Sequence, residues 1–418
     1  MANAAIRRVL IIADAAHATP RISEITTILP TLGWDPVIVT CNAYENQITR
    51  QIIVDDSRLR VLPRRINSEN LNGGFQASLR RRLPFVSEKL AGAVSKLLKS
   101  ILFIPDEYFL WQMRINLKFK EIRDAGPYDV ILSSSSPVSA HVAARRLSRR
   151  LGIPWVADLR DLWSDNHNYP FAEVRKLIDS GIEKRVLVDA RTIVTVNQPW
   201  MGILAKKYGQ RVTTIENACK FQLRENYIRE PRKIRLSSLG PVYPGKHNLE
   251  TLLYLLNDFQ KIANCRIYLD IYGDLDDSNR AIAKDFKENV VHVNFHNRVS
   301  HEESWKIQCK SDLLVLFTWE STSSSLGHIP LRSYEFAACG RPVIVMTDHK
   351  NSSSLDFMPK GNFHQVSDPQ QILRLLSHAD DELDSDQEGN LVDQSLTYTD
   401  RALRFVDVFE KAIRDEFY

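Results

Sequence analysis

The segment YDVILSSSSPVSAHVAARRLSRRLGIPWVAD, residues 128–158, contains two apolar runs with a helical pattern between them. The first run leads into a serine-rich loop. The helical stretch after it ends at Gly152 and carries arginines in its last turn, as a helix C-terminus favours. A strand, a helix and a second strand in this order predict a parallel strand pair whose helix covers one face of the sheet. The segment therefore indicates an α/β fold.

The same alternation continues on both sides of this segment. RVLIIA at 8–13 and DPVIVT at 35–40 are short buried strand patterns, and RTIVTVN at 191–197 is another. The alternation starts again at KIRLSSLG, residues 233–240, and continues through further strand and helix patterns to RPVIVMT, residues 341–347. This repetition predicts two α/β units, each built on a parallel sheet.

A polar and charged stretch near residues 215–232 separates the two units and is typical of a linker. We therefore predict an N-terminal domain over residues 1–215 and a second domain over residues 216–398. In residues 399–418 the apolar side chains recur at helical spacing, which predicts a closing helix.

Composition limits the classes of protein to which the chain can belong. It has 418 residues, of which 44% are hydrophobic and 25% charged, as is ordinary for a globular protein. The net charge of +4 favours anionic ligands or surfaces but does not indicate nucleic acid. The five cysteines are scattered without a C-x-x-C pair, so we expect a reducing cytosol. No apolar run in the sequence approaches the roughly 20 residues of a membrane span.

Metal-binding patterns are weak in this sequence. Asp274 and Asp276 form an Asp-x-Asp pair, but they follow a strand pattern and a glycine, as ordinary turn residues do. The histidines are dispersed and lack the spacing of metal ligands. We therefore predict no metal site.

The stretch PWVADLRDLWSDN, residues 154–166, places three charges directly after an apolar run. They are Asp158, Arg160 and Asp161. In a parallel sheet the ligand lies beyond the carboxyl ends of the strands. We therefore expect these side chains at the ligand-facing edge of the first domain, where His17 also follows a strand.

The stretch GPVYPGKH, residues 240–247, follows the first strand of the second domain. It matches G-x-x-x-x-G-K, but His247 stands where a P-loop needs Ser or Thr. Pro241 and Pro244 also lack the N–H groups of a phosphate cradle. Two interpretations of Lys246 stay open: an ammonium that pairs a diphosphate, or an exposed loop lysine.

The stretch STSSSLGHIPLRSYEFAACGRPVIV, residues 321–345, combines a Ser/Gly-rich loop with a helix that begins near Pro330. The N–H groups of such a helix N-terminus favour an anion such as a nucleotide phosphate. Glu335 lies among apolar neighbours and needs a partner, and ribose hydroxyls would serve. The alternative is a surface ion pair with Arg332, three positions earlier on the same helix face.

A basic region, SLRRRLPFVSEKLAGAVSKLLKSILFIPDEYFLW at 78–111, has apolar residues at helical spacing and lysines largely off that stripe. It lies within an insertion-like region over about 74–125. The pattern is typical of an amphipathic helix at a membrane surface. It is equally expected of a helix that packs on its own domain.

The segment GHIPLRSYEFAACGRPVIV, residues 327–345, resembles the signature of glycosyltransferase family 4, the group 1 enzymes. Residues 237–253 are similar to the start of the second domain of that family, and residues 127–163 resemble a bacterial surface-glycan subgroup. The resemblance spans the whole chain. It implies a GT-B fold, in which two Rossmann-like domains face each other across an interdomain cleft and the helix of residues 399–418 packs back toward the first domain. It also implies transfer of a sugar from a nucleotide-diphosphate sugar, with retention and without a metal.

The resemblance also assigns residues, with Glu335 at the donor ribose and Lys246 at the diphosphate. The predicted donor-binding residues are Gly240, Tyr243, Lys246, Gly327, His328, Ile329, Arg332 and Glu335. The predicted acceptor-side residues are His17, Arg21, Ser136 and Asp158. For catalysis we predict Arg160, which would supply positive charge near the reaction centre, and Asp161, which would orient Arg160 or the acceptor hydroxyl.

Two positions depart from the family pattern. Gly327 stands where the first of two glutamates often lies, and Pro241 stands where an arginine often follows the first glycine. These departures leave the identity of the donor open. Arg332 would then share the contact with the phosphates.

We predict a cytoplasmic glycosyltransferase of glycan or surface-polysaccharide biosynthesis. The basic region 78–111 suggests that it binds peripherally to the inner face of the plasma membrane. Its co-substrate is the nucleotide-diphosphate sugar, with no cofactor, and its acceptor is a glycan or a lipid-linked sugar. Two alternatives stay open. One is a GT-B enzyme of another reaction, such as a nucleotide-sugar epimerase, and the other is a non-catalytic nucleotide-sugar-binding or assembly subunit.

Overall fold

The structure, a computed structural model, divides the chain into two compact units. The first unit is Met1–Glu216 together with Ala402–Tyr418, and the second is Asn217–Arg401. The residues that the structure describes are 6–15, 20–43, 49–54, 103–166, 169, 171–221, 223–225, 227–243, 247–263, 265–273, 281–282, 291–318, 329–347, 353–385 and 391–416.

The first unit is built on a seven-stranded sheet within the described residues. Its strands are β1 (Arg7–Ile12), β2 (Trp34–Thr40), β3 (Arg50–Ile53), β4 (Val130–Ser135), β5 (Trp155–Leu159), β6 (Thr192–Thr195) and β7 (Val212–Thr214). Their order is β3-β2-β1-β4-β5-β6-β7, and every neighbouring pair is parallel. The order of a Rossmann-like sheet therefore reverses between β1 and β4.

Helices connect these strands. They are α1 (Arg21–Ile28), α2 (Phe109–Leu117), α3 (Phe119–Asp124), α4 (Ser139–Leu151), α5 (Glu173–Leu187) and α6 (Gln198–Tyr208). Helix α4 joins β4 to β5, as the opening segment of the sequence predicts. It buries Ala140, Ala143, Ala144 and Leu147, which recur at one-face helical spacing, against the sheet. It ends at Gly152, whose φ of +70° suits glycine.

The second unit repeats this plan with a six-stranded sheet in the described residues. Its strands are β8 (Lys233–Leu239), β9 (Arg266–Tyr272), β10 (Val291–His296), β11 (Leu313–Phe317), β12 (Val343–Met346) and β13 (Phe363–Gln365). Their order is β10-β9-β8-β11-β12-β13, again with parallel neighbours, so the reversal lies between β8 and β11. The helices are α7 (Leu249–Ala263), α8 (His301–Cys309), α9 (Arg332–Cys339) and α10 (Pro369–Ser385).

The two parallel sheets with their helices confirm the predicted α/β class and the two Rossmann-like units.

The last helix, α11 (Tyr398–Arg414), has most of its residues in the first unit. There Phe405 and Phe409 are fully buried, and the Phe409 ring lies 5.2 Å from the ring of Trp34. Arg404 donates to the carbonyl of Thr214 at 2.6 Å. Apolar burial and hydrogen bonds therefore hold the end of the chain on the first sheet.

The insertion-like region is described only from residue 103 onward. Trp111, Ile115 and Ile122 in this part are fully buried in the core of the first unit. Packing on its own domain is therefore the correct interpretation for residues 103–125. The amphipathic stripe before residue 103 lies outside the described residues. Within the described residues, no helix is long and apolar enough to span a membrane.

Candidate functional site

The described part of the second unit contains a cavity of about 630 Å³ at the carboxyl edge of its sheet. Leu239 and Gly240, at the end of β8, form one wall, and Phe317 and Thr318, at the end of β11, form another. The cavity therefore lies where the strand order reverses, which is where parallel α/β sheets bind ligands. Its volume falls within the usual range for ligand sites, roughly 300–1,000 Å³.

Gly240 shapes this cavity through its backbone. Its φ is +111°, and a Cβ added there would lie 1.9 Å from Nη1 of Arg332. Arg332 donates to the carbonyl of Leu239, so its guanidinium occupies the space above the glycine. A Cβ on Gly273, at the end of β9, would lie 2.9 Å from the backbone of Gly240. The two glycines therefore allow the loops after β8 and β9 to pack backbone to backbone.

Glu335 brings a carboxylate into the cavity from helix α9. Its side chain is only 7% exposed, and burial raises the pKa of its carboxyl above the ordinary glutamate value, although His301, Gln308 and Arg332 oppose this rise. Oε1 lies 3.0 Å from Nε2 of His301, and Oε2 accepts from Nε2 of Gln308 at 2.9 Å. The predicted surface pair with Arg332 is wrong, because Glu335 is buried and Arg332 donates to the carbonyl of Leu239 instead.

The loop after β8 folds back on itself. The N–H of Tyr243 donates to Nδ1 of His247 at 3.1 Å, and the His247 ring stacks on Phe317 with centroids 5.4 Å apart. Tyr243 and His247 both line the cavity. A P-loop would have a magnesium-binding hydroxyl at this position, whereas His247 makes an aromatic contact with Phe317.

The predicted donor-binding residues are therefore brought together in part. Gly240, Tyr243, Arg332 and Glu335 line the cavity, while Ile329 lies half-buried beside the cavity-lining Pro330. Three others lie outside the described residues, namely Lys246, Gly327 and His328.

In the first unit, Arg21 and Asp158 form a buried ion pair with side-chain exposures of 1% and 0%. The Arg21 Nη2 and Nε atoms donate to Asp158 at 2.9 and 3.2 Å. Arg21 also donates to the carbonyls of Ile215 and Glu216, and Ser134 donates to Asp158. Neither side chain reaches solvent and each contacts the other, which supports a structural role for the pair; their acceptor-side position stays a prediction. They connect α1, β5 and the end of the first domain.

Arg160 lies at the carboxyl edge of the first sheet, as predicted. Its guanidinium donates to the carbonyls of Ser135 and Ser136 at 2.6 and 3.3 Å. These backbone carbonyls at the end of β4 help to orient Arg160, and the predicted role of Asp161, to orient Arg160 or the acceptor hydroxyl, stays a prediction. Asp161 is exposed, and Ser136 contributes its carbonyl to this contact.

Residues 18–218 match the glycosyl transferase 4-like domain. This part of the chain, just under half of its length, is similar to that family. The predicted resemblance to glycosyltransferase family 4 is thereby confirmed, and Arg21, Asp158 and Arg160 all lie within the glycosyl transferase 4-like domain. No curated protein matches the sequence of the chain.

Solved structures share the fold at low identity. The sucrose-phosphate synthase from Thermosynechococcus elongatus covers 98% of this chain and 99% of its own, with a TM-score of 0.60 and 13% identity. HepE from Anabaena, in complex with UDP and glucose, covers 97% and 100%, with a TM-score of 0.53 and 11% identity. The catalytic domain of starch synthase IV from Arabidopsis thaliana, bound to ADP and acarbose, covers 98% and 100%, with a TM-score of 0.53 and 9% identity. These similarities establish the fold.

The glycosyl transferase 4-like domain also contains a buried network that the sequence patterns did not indicate. Glu183, on α5, is fully buried and accepts from the N–H of Ser164 at 2.9 Å and from the Tyr208 hydroxyl at 3.0 Å. Ser164 lies four positions after Arg160 in the stretch 154–166. Glu183 therefore anchors the part of that stretch that follows Arg160, within the residues that match the family.

The sequence analysis also missed cavity residues, among them the two that contact Glu335, His301 and Gln308 on α8. A sequence signal for them exists. Ser300 and Glu303 form the S-x-x-E pattern of a helix start, and the Ser300 hydroxyl accepts from the N–H of Glu303 at 3.1 Å. That pattern places His301 at the first helical position after a strand and loop. No group of three or more metal-ligating side chains occurs in the described residues of either unit.

Proposed function

We propose that the protein is a retaining glycosyltransferase that moves a sugar from a nucleotide-diphosphate sugar to an acceptor hydroxyl without a metal. Glu335 carries this proposal: it is a buried carboxylate that lines a cavity at the reversal point of the sheet, with the Arg332 guanidinium on the same wall. A carboxylate suits ribose hydroxyls, and a guanidinium suits phosphate oxygens. Retention and metal independence rest on the family resemblance.

The two similar structures with bound nucleotides support the donor class. HepE was solved with UDP and glucose, and starch synthase IV with ADP and acarbose. By analogy, the nucleoside diphosphate of this protein would contact Glu335 through its ribose and Arg332 through its phosphates. Lys246, Gly327, His328 and Ile329 stay proposed neighbours of the diphosphate.

The reaction needs positioning and charge stabilisation more than a strong base. The bond from the anomeric carbon to the diphosphate breaks, the bond to the acceptor oxygen forms on the same face, and the acceptor proton passes to the departing phosphate. Arg160 would stabilise the negative charge that develops. Asp161 would then contact the acceptor hydroxyl, as would Ser136 and His17. Correct orientation of both substrates supplies much of the rate.

A lipid-linked acceptor and a peripheral membrane position belong to the same proposal. Helix α5 supports them, because its first half buries charged side chains and exposes apolar ones. Arg175, Asp179 and Glu183 are buried, while Val174 and Leu177 are 71% and 74% exposed. An exposed apolar face of this kind marks an interaction surface.

The basic residues of α5 and its position beside region 78–111 support the membrane proposal. Lys184 and Arg185, also exposed on α5, would attract anionic headgroups. Arg175 also donates to the carbonyls of Phe103 and Pro105, so α5 lies beside the end of the basic region 78–111.

Leu177→Asp should therefore lower the fraction of protein that sediments with phosphatidylglycerol vesicles several-fold, because a carboxylate replaces an apolar anchor. The matched control is Leu117→Asp on α2, where the leucine is 84% exposed. Equal sedimentation of wild type and Leu177→Asp would contradict the membrane proposal. An equal loss in both variants would do so as well.

Calorimetry with UDP, GDP, dTDP and ADP tests the proposed function. We expect selective binding of one of them, with the same affinity in EDTA and in Mg²⁺, because the cation partner of the phosphates is a side chain. Transfer of the matching sugar to an added acceptor should follow. Hydrolysis or epimerisation of the donor without an acceptor would favour the epimerase-type alternative. Binding without turnover across many acceptors would favour the non-catalytic subunit.

A further inference from the structure

Two residues from one helix hold the carboxylate of Glu335, and neither belongs to the sequence pattern that suggested its role. His301 and Gln308 lie near opposite ends of α8, about two turns apart, and each contacts a different carboxylate oxygen. Gln308 is fully buried and is itself held by Ser304, whose hydroxyl lies 3.1 Å from the same Nε2 atom. The carboxylate therefore has a fixed position.

The carboxylate keeps capacity for a ligand. An ionised carboxylate accepts at about four lone-pair positions, and two donors contact it within the described residues. Because Glu335 lines the cavity, the remaining positions suit a pair of neighbouring hydroxyls. A protonated carboxyl would accept fewer bonds and would lose the charge that strengthens them.

Few groups near Glu335 favour its ionised form. Burial raises the pKa of this carboxyl, and His301, Gln308 and Arg332 oppose the rise. Arg332 lies on the same helix and donates to the carbonyl of Leu239. The Cys219 thiol, whose pKa is raised by burial and by Glu335, supplies no positive charge. Of the two α8 side chains that contact Glu335 in the described residues, His301 is the one that can carry a positive charge.

The position of the His301 ring does not depend on Glu335 alone. The ring lies 5.3 Å from that of Phe221, which stacks on Trp305 with centroids 4.9 Å apart and planes within 12°. The imidazole side chain is 43% exposed and lines the cavity. Packing against the aromatic rings thus orients the imidazole so that its Nε2 atom faces Glu335.

We propose that His301 is a positioning residue for nucleotide recognition: together with Gln308 it keeps the Glu335 carboxylate ionised and oriented to accept the ribose hydroxyls. This inference rests on the proposed function, because it requires that Glu335 contacts a ribose. It adds to the nucleotide site a residue outside the signature segment.

The test is the affinity of His301→Ala for the nucleoside diphosphate that wild type binds best, measured by calorimetry between pH 6 and pH 8.5. We expect a loss of about tenfold or more at the acid end of this range, because protonation removes the charge of the buried Glu335 carboxylate and the variant lacks a group that opposes it. The loss should shrink to about threefold or less at the alkaline end, because a high pH favours the ionised carboxylate in both proteins. Taking the ratio of variant to wild type at each pH cancels the ionisation of the phosphates themselves.

Three controls isolate the effect. His301→Gln keeps a donor but cannot carry a positive charge, so its affinity should match wild type near pH 8.5 and fall below it near pH 6. The control His292→Ala changes an exposed histidine on β10 of the second unit, where the ring stacks on Tyr268. This variant should match wild type at every pH. A 2′,3′-dideoxynucleoside diphosphate should bind wild type and His301→Ala equally.

The outcomes separate the two proposals. A loss in His301→Ala that is the same at every pH would reduce His301 to a packing role and overturn this inference alone. Failure of wild type to bind any nucleoside diphosphate would overturn the proposed function and this inference together. A pH-dependent loss that disappears with the dideoxy ligand supports both.

Discussion

Asp158→Ala should lower the free energy of unfolding of the first unit by about 3–5 kcal/mol, the range expected when one partner of a buried ion pair is removed. The change leaves the Arg21 guanidinium charged, at 1% exposure, without its carboxylate. It also removes the acceptor of the Ser134 hydroxyl. Guanidinium chloride unfolding followed by tryptophan fluorescence measures the effect, since the buried Trp155 and Trp163 belong to this unit.

Asp161→Ala provides a matched control three positions away. Asp161 is exposed, so this variant should stay within about 0.5 kcal/mol of wild type. The double variant Arg21→Met, Asp158→Leu should recover part of the loss, because an apolar pair leaves no buried charge. Similar unfolding midpoints for Asp158→Ala and Asp161→Ala would contradict the structural role of the pair and would reopen an acceptor-side role for Asp158.

Glu335→Gln should lower the affinity for the nucleoside diphosphate by roughly ten- to a hundredfold, because charge-assisted hydrogen bonds contribute about 1.5–3 kcal/mol. The amide has one acceptor oxygen where the carboxylate has two. Calorimetry against wild type measures the loss. Glu302→Gln, an exposed glutamate on helix α8, is the matched control and should bind as wild type does.

The same substitution should not destabilise the fold. Burial raises the folded-state pKa of Glu335, so the folded protein binds the proton more tightly than the unfolded chain does. The free energy of unfolding therefore falls as the pH rises above the ordinary pKa of glutamate, because the buried carboxyl must then ionise. A neutral glutamine does not ionise and causes no such fall. Unfolding midpoints near pH 7.5 should therefore equal or exceed those of wild type. An unchanged nucleotide affinity in a folded variant would contradict the ribose role.

Local patterns predicted the strands and helices well where apolar spacing decides them. The segments at 8–13, 35–40 and 233–240 form β1, β2 and β8 because each is a short run that is buried on both faces of a parallel sheet. Helix α5 was not predicted. In its first half Arg175 and Asp179 are buried while Val174 and Leu177 are exposed, so this part of its pattern is the reverse of an ordinary surface helix.

The candidate site was predicted only in part, because local patterns do not reveal contacts between remote segments. Glu335 and Arg332 share one helix, and their place after a loop followed from sequence. The partners of Glu335 did not, since His301 and Gln308 come from α8, 34 and 27 positions earlier. Arg21 and Asp158 are 137 positions apart, and each alone resembles an ordinary polar residue at a strand or helix end.

The sequence by itself determined the two parallel α/β units, the similarity to the glycosyl transferase 4-like domain and the position of the segment that carries Glu335 and Arg332. These depend on the period of apolar side chains and on motifs within single segments. Only the tertiary structure decided that Arg21 and Asp158 hold the domain together, that backbone carbonyls orient Arg160, and that His301 faces Glu335. Charge pairing in a folded chain depends on distances between remote segments and on the exclusion of water, and neither is encoded in local spacing.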